Sequence, residues 1–86
     1  MLNFSVVGVG SFGVKRAKAV QECENAKLVS VCDKNSENAN KAKNILNVDI
    51  KTFEEILKDK NVHVVCICTP NKFHLPLIKD ALSAGK

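Results

Sequence analysis

Three glycines near the amino terminus have the spacing of a phosphate-binding turn. Gly8, Gly10 and Gly13 form the pattern G-x-G-x-x-G between the apolar run Phe4–Val7 and an amphipathic, helix-like segment. In that context the first glycine permits a sharp turn and the second lets a pyrophosphate approach the backbone. The third lets the helix pack closely on the sheet. Free N–H groups and the positive end of the helix dipole then face the phosphates.

One carboxylate follows the glycines at a distance typical of dinucleotide sites. Asp33 lies 20 residues after Gly13, at the end of an apolar strand-like run. A carboxylate there accepts hydrogen bonds from both adenosine ribose hydroxyls and repels a 2′-phosphate, which favours NAD over NADP. Lys34 partly offsets that repulsion, so NADP remains an alternative cofactor. Without the glycine motif, Asp33 would be interpreted equally well as a helix cap or a surface charge.

Strand and helix patterns alternate along the whole chain. The predicted strands span 3–8, 26–32, 49–51 and 62–68, and the predicted helices span 12–23, two segments capped by Asn35 and Thr52, and 73–84. This alternation predicts an α/β fold: a three-layer, Rossmann-type parallel sheet of four strands in the order 3-2-1-4, with helices on both faces. The apolar fourth strand would be an uncovered edge. We therefore expect residues 1–86 to be a partial domain of a longer protein.

A polar turn follows the predicted fourth strand. In the order 3-2-1-4, Thr69, Pro70 and Asn71 lie beside the end of the first strand, in the crevice where ligands of such sheets bind. His74 follows one helical turn later. The alternatives are an ordinary turn with Asn71 as a helix cap, and a helix-face role for His74. His63 is predicted to be a packed structural residue in the middle of the strand.

Composition excludes some classes of function. The 86 residues carry a net charge of +4, with dispersed lysines and with no Tyr or Trp to stack on bases, so a nucleic-acid partner is not expected. No apolar run reaches the roughly 20 residues that span a membrane, and no signal peptide is recognisable. We expect a cytoplasmic protein with no membrane partner.

The cysteines are expected to be reduced and structural. Cys32, Cys66 and Cys68 lie in apolar strand-like runs, where cysteine behaves as a small hydrophobic residue. The spacing of Cys66 and Cys68 places both thiols on one strand face, whereas zinc sites favour turns and C-x-x-C spacing. The sequence predicts no metal site.

Taken together, these segments resemble the amino-terminal domain of the Gfo/Idh/MocA oxidoreductases. The resemblance covers almost the whole chain and rests on V-V-G-V-G-S-F-G, Asp33, T-F-E-E-I-L, V-V-C-I-C-T-P-N-x-x-H and A-L-x-A-G-K. T-P-N-x-x-H is the most specific segment, since many Rossmann domains carry the glycines without it. Arg16 departs from the pattern, because relatives often have His there, and its charge favours a contact near the phosphates.

The resemblance implies a role for each matching residue. The pyrophosphate would be held by Gly8, Gly10 and Gly13 with the Ser11–Phe12 backbone. Asp33, with Lys34 beside it, would hold the adenosine ribose. The nicotinamide side would be lined by Thr69, Pro70, Asn71 and His74.

The implied activity is hydride transfer between NAD or NADP and a sugar, a polyol or a similar hydroxy or carbonyl compound. In the family, A-G-K leads into a fifth strand, a Glu-Lys-Pro motif and a substrate domain. We therefore expect no catalytic residue within residues 1–86, and we expect the isolated chain to be inactive. Alternatives are a non-catalytic nucleotide sensor and, less favoured, a methyltransferase, which would carry an acidic residue where Val6 and Val7 stand. The bare fourth strand also suggests self-association into a homo-oligomer.

Overall fold

The chain folds as alternating strands and helices. The computed structural model describes residues 1–69 and 71–85, without the side chains of residues 71–76. In this part of the chain the strands are β1 (Leu2–Val7), β2 (Ala26–Cys32), β3 (Asp49–Ile50) and β4 (Val64–Ile67), and the helices are α1 (Ser11–Glu22), α2 (Ser36–Leu46), α3 (Phe53–Lys58) and α4 (Asn71–Ser83). All strand pairs are parallel, in the order β3-β2-β1-β4. This confirms the predicted sheet.

Helices cover both faces of the sheet. On one face, Ala17 of α1 and Ala42 and Leu46 of α2 pack in a single cluster with Val6 of β1. On the other face, Ile56 of α3 belongs to a second cluster, against which Leu77 of α4 also packs. Side chains of β1, β2 and β4 therefore enter both cores, as expected of a parallel sheet covered on both sides, whereas both residues of the edge strand β3 are exposed. The arrangement has the three layers that were predicted.

The central strand β1 carries an irregularity in its pairing with β2. The register shifts between Phe4 and Ser5, so that Phe4 pairs with Leu28 and Ser5 pairs with Ser30. The two serine hydroxyls are buried and lie 2.6 Å apart as a hydrogen-bonded pair. Each hydroxyl thereby finds a partner inside an otherwise apolar core.

Caps fix the starts of two helices. Asn35 accepts hydrogen bonds from the backbone N–H groups of Glu37 and Asn38 and so caps α2. At α3, Thr52 and Glu55 form the reciprocal capping box that the sequence predicts. These caps end the connections after β2 and β3, and so fix how the two loops leave the sheet.

The fourth strand is shorter than predicted. His63 lies before β4 and is exposed, so its predicted position as a packed residue in mid-strand is wrong. The His63 backbone N–H donates to the carbonyl of Asn3, while the Asn3 N–H donates to Nδ1 of the His63 side chain, both at 2.9 Å. A side-chain nitrogen thus takes the place of a backbone acceptor.

Helix α4 begins at Asn71, two residues before the predicted start. Among the described residues, no helix combines the length and apolar character required to cross a membrane.

Candidate dinucleotide site

The three glycines of the turn meet different surroundings. Gly8 has a φ of +92°, in the region that favours glycine, and a Cβ there would lie 2.8 Å from backbone atoms of Cys68 and Thr69. A Cβ on Gly13 would lie 1.8 Å from the carbonyl oxygen of Gly8, so α1 reaches the end of β1 only without a side chain. At Gly10 a Cβ would meet nothing within 4 Å. Gly10 is therefore the glycine that leaves room for a group from outside.

The start of helix α1 has the features of an anion-binding end. Gly10 occupies the N-cap position, and no described side chain caps the helix. The first turn holds no acidic residue, while Lys15 and Arg16 follow directly. Uncapped N–H groups and the helix dipole together produce a positive end. An anion held at this end would supply the missing acceptors.

The carboxylate of Asp33 joins the turn to the end of β2. Its Oδ2 accepts the backbone N–H of Val9 at 2.9 Å, and its Oδ1 accepts the N–H of Asn35 at 2.8 Å. Asp33 is partly exposed and lines the cavity beside the glycine turn. A carboxylate has about four acceptor positions, and two remain for further donors.

These elements enclose a cavity of about 460 Å³. It brings together seven residues predicted from the sequence, Gly8, Gly10, Ser11, Phe12, Gly13, Asp33 and Thr69. Lys34 instead lines a neighbouring cavity of about 530 Å³ on the α3 side of Asp33. Pro70 lies outside the described residues, as do the side chains of Asn71 and His74.

Two residues of the cavity were not predicted. Asn38, in the first turn of α2, and Cys68, directly after β4, complete its lining. Asn38 lies three residues after the cap Asn35, and this spacing is the sequence signal that would place it at the same end of the sheet. Cys68 was interpreted only as a strand residue.

The thiols at this end of the sheet are neutral at pH 7. Burial raises the pKa of the Cys68 thiol above its ordinary value of 9.0, and neighbouring Cys66 raises it further against an opposing effect of Arg16. The pKa of Cys32 is raised by burial and by the charge of Asp33. Neither thiol supplies a thiolate nucleophile. Within the described residues, no three His, Cys, Asp or Glu side chains are grouped to hold a metal ion.

Arg16 lies beside an aromatic ring at the start of α1. Its guanidinium carbon is 5.0 Å from the ring centroid of Phe12, a residue that is 59% exposed. This is the geometry of a cation–π contact, which contributes about 0.5–1 kcal/mol at an exposed site. Arg16 thus stands next to the cavity and does not line it.

The cavity has the size and the polar lining of a small-molecule site. Its volume lies in the range of small-molecule sites, roughly 300–1,000 Å³. Thr69 Oγ1 is buried beside it with no hydrogen-bond partner among the described residues. A buried hydroxyl without a partner is costly and is expected to be satisfied by a ligand or water. A polar ligand in the cavity would satisfy it.

The parallel order, the glycine turn next to the end of β2 and the strand-end carboxylate define a Rossmann-type nucleotide-binding domain. A family profile described as "Oxidoreductase family, NAD-binding Rossmann fold" matches residues 2–86, and the chain belongs to this Gfo/Idh/MocA family. The resemblance drawn from the sequence is confirmed.

The proteins that this chain resembles carry names for different activities. The 2,7-anhydro-N-acetylneuraminate hydratase of Escherichia coli K12 is 36% identical over 83 residues, covering 94% of this chain and 22% of that protein. The scyllo-inositol dehydrogenase of Lactobacillus casei, solved with NAD(H) and scyllo-inositol, gives a TM-score of 0.87 at 28% identity, over 100% of this chain and 26% of that one. Biliverdin reductase of Synechocystis sp. PCC 6803, solved with biliverdin and NADP+, gives a TM-score of 0.92 at 26% identity, over 99% and 27%. The chain therefore spans about a quarter of these proteins.

Proposed function

We propose that this chain is the cofactor-binding part of an NAD(P)-dependent oxidoreductase, and that the cavity at the glycine turn holds the cofactor. The observation that carries the proposal is the pairing of an open face at Gly10 with an uncapped helix start and the Asp33 carboxylate around one cavity. When bound, a nicotinamide cofactor supplies hydride chemistry. The residues of this chain bind and orient it.

Each residue of the proposed site has a specific binding role. The pyrophosphate lies against the turn from Gly8 to Gly13, including the Ser11 and Phe12 backbone. The ribose hydroxyls donate to the remaining acceptor positions of Asp33, with Lys34 at its side. Thr69, and by family resemblance Pro70, Asn71 and His74, line the nicotinamide side.

NAD is the preferred cofactor in this proposal, and NADP is tolerated. The charge of Asp33 repels a 2′-phosphate, while Lys34 lines the adjoining cavity on the far side of that carboxylate. The relatives support both cofactors, because one is solved with NAD(H) and another with NADP+.

A substitution at Asp33 tests the ribose assignment. In D33A the affinity for NAD should fall roughly tenfold or more, since hydrogen bonds to a charged acceptor are lost. The affinity for NADP should fall less, because the repulsion of its 2′-phosphate is removed as well. Isothermal titration of both cofactors into wild type and D33A gives the ratio. An unchanged NAD/NADP ratio would contradict the assignment, and absence of binding to the folded wild type would contradict the whole proposal.

The remaining functional assignments concern the whole protein. Residues 1–86 are a partial domain in this proposal, and a hydroxy or carbonyl substrate binds elsewhere in the full protein. A non-catalytic sensor is the competing function, and turnover of NAD with a polyol by the full protein separates the two. A cytoplasmic location remains part of the proposal.

Self-association of the isolated 86-residue chain through the edge strand β4 is also proposed, because β4 pairs only with β1 among the described strands. Sedimentation velocity at two concentrations tests it. A sedimentation coefficient that rises with concentration supports pairing of copies, and a constant monomer value contradicts it.

A further inference from the structure

The backbone N–H of Val9 is buried where the strand ladder ends. The N–H of Gly8 donates to the carbonyl of Cys32 at 2.7 Å and is the last ladder bond between β1 and β2. The chain then turns, and Val9, with 2% of its surface exposed, follows with its side chain in the core. A buried N–H needs an acceptor, and water has little access here. Its acceptor is Oδ2 of Asp33, 24 residues away in the chain.

The other oxygen of the same carboxylate holds the next loop. Oδ1 of Asp33 accepts the N–H of Asn35, and Asn35 in turn caps α2 through Glu37 and Asn38. Two N–H groups from two loops therefore converge on one side chain. A carboxylate can accept both, whereas an amide has one acceptor oxygen and would turn an NH₂ group toward one of the donors. The arrangement selects for Asp over Asn even before a ligand arrives.

We propose that Asp33 is a positioning residue for the glycine turn, holding Val9 so that the segment between Gly8 and Gly10 is preformed to receive a diphosphate. This role is separate from any contact with ribose hydroxyls. Its ligand-binding consequence rests on the proposed function, whereas its effect on the turn exists in the free protein. Preformed turns bind more tightly because less ordering is left to occur on binding.

The free protein gives a test that needs no ligand. In D33N, amide hydrogen exchange of the full 86-residue chain, followed by NMR, should show the protection of Val9 falling roughly tenfold or more, because its charged acceptor is lost. The amide of Gly8, which donates to a backbone carbonyl, serves as an internal reference and should change little. Equal protection of Val9 in wild type and D33N would overturn the proposal.

A ligand without ribose hydroxyls isolates the effect of the preformed turn on nucleotide binding. ADP and 2′,3′-dideoxy-ADP are titrated into wild type and D33N. If Asp33 served the ribose alone, D33N would bind the dideoxy compound as wild type does, and that result would overturn the proposal. We expect roughly a five- to tenfold loss for the dideoxy compound and a larger loss for ADP.

Asp59 provides a matched control. Its Oδ1 accepts the N–H of Asn61 at 2.8 Å, the same contact two residues ahead that Asp33 makes with Asn35. D59N should leave both Val9 protection and dideoxy-ADP affinity within about twofold of wild type. Equal losses in D59N and D33N would show a general effect on stability and overturn the proposal.

If D33N does not fold, amide hydrogen exchange of the wild-type chain still tests the positioning role of Asp33. The proposal requires the Val9 amide to be protected to the same order as that of Gly8. Exchange of Val9 at the rate of an exposed amide would overturn it, and so would protection of Val9 that persists in a folded D33A variant. If no nucleotide binds the wild type, the exchange result still stands and only the proposed function fails.

Discussion

Gly10 and Gly13 belong to one motif but are required for different reasons. At Gly13 the space that a methyl group would occupy is already taken by the Gly8 carbonyl, so glycine is needed for α1 to pack against the strand end. At Gly10 the same space is open, and its φ of −68° suits any residue. The fold therefore requires glycine at Gly13, whereas at Gly10 only the proposed ligand would require it.

The two alanine variants should separate these constraints. G13A should lose about 3 kcal/mol of unfolding free energy, because backbone atoms must move to admit the methyl group. G10A should lose about 1 kcal/mol or less, since Ala is only somewhat poorer than Gly at an N-cap. Its affinity for NAD should nevertheless fall roughly tenfold, because the new methyl group occupies the face that the pyrophosphate approaches.

Urea denaturation and isothermal titration of the same samples measure both quantities. A G13A variant as stable as wild type would contradict the close approach of α1 to β1. A G10A variant that binds NAD like wild type would show that the phosphates do not lie against Gly10.

At the scale of elements, a charged cap makes the stability of helix α3 depend on pH. The Glu55 carboxylate accepts the Thr52 N–H at 2.9 Å, and the Thr52 hydroxyl accepts the Glu55 N–H at 3.1 Å. Hydrogen bonds from Thr52 to this carboxylate, first from its backbone N–H and second from its side chain, lower the pKa of Glu55 below its ordinary value of 4.5. Because the folded-state pKa is the lower one, the stabilisation is present above about pH 4.5 and is lost as the pH falls through the folded value.

E55Q should remove this pH-dependent contribution. The difference in thermal unfolding midpoint between wild type and E55Q should be present at pH 7 and should shrink steadily below pH 4.5, where Glu55 becomes neutral. Circular dichroism melts from pH 3 to 7 measure it. E54Q, which removes a carboxylate from the same helical turn outside the capping box, is the control. Melting curves of wild type and E55Q that keep a constant separation at every pH would refute the account.

Elements with strong local signals were predictable from the sequence. The capping box at Thr52 and the glycine turn are set by neighbours a few residues away, so their residue types alone identify them. The alternation of β and α segments likewise predicts parallel strands with right-handed crossovers, and the glycine motif adds the Rossmann order 3-2-1-4. Contacts between distant segments were not predictable.

His63 and Asp33 show why contacts between distant segments were not predictable from the sequence. The acceptor role of the His63 side chain depends on Asn3, 60 residues away, and shortens β4 in a way that no local pattern reveals. The bond from Val9 to Asp33 likewise depends on how two loops meet in space. Asn38 joined the cavity for the same reason, because the packing of α2 against the sheet decides its position. Sequence patterns identified most of the candidate binding residues, and three-dimensional packing determines how they are held.

At the scale of the whole molecule, every described part of the candidate site lies at one end of the sheet. The glycine turn follows β1, Asp33 follows β2 and Thr69 follows β4, so the carboxyl ends of three adjacent strands surround the cavity. Ligands of open parallel sheets bind at this end, at the point between β1 and β4 where the strand order reverses. The fold thus assembles the candidate cofactor site within a segment that spans about a quarter of its relatives.

A titration of the isotopically labelled 86-residue chain with NAD, followed by amide NMR, tests the central claim most directly. Binding at this site predicts saturable shifts at Gly8, Val9, Gly10 and Asp33, with little change at the opposite end of the sheet near Asn25 and Asn61. Saturable shifts confined to other residues, or none at millimolar NAD while the spectrum stays that of a folded protein, would contradict it.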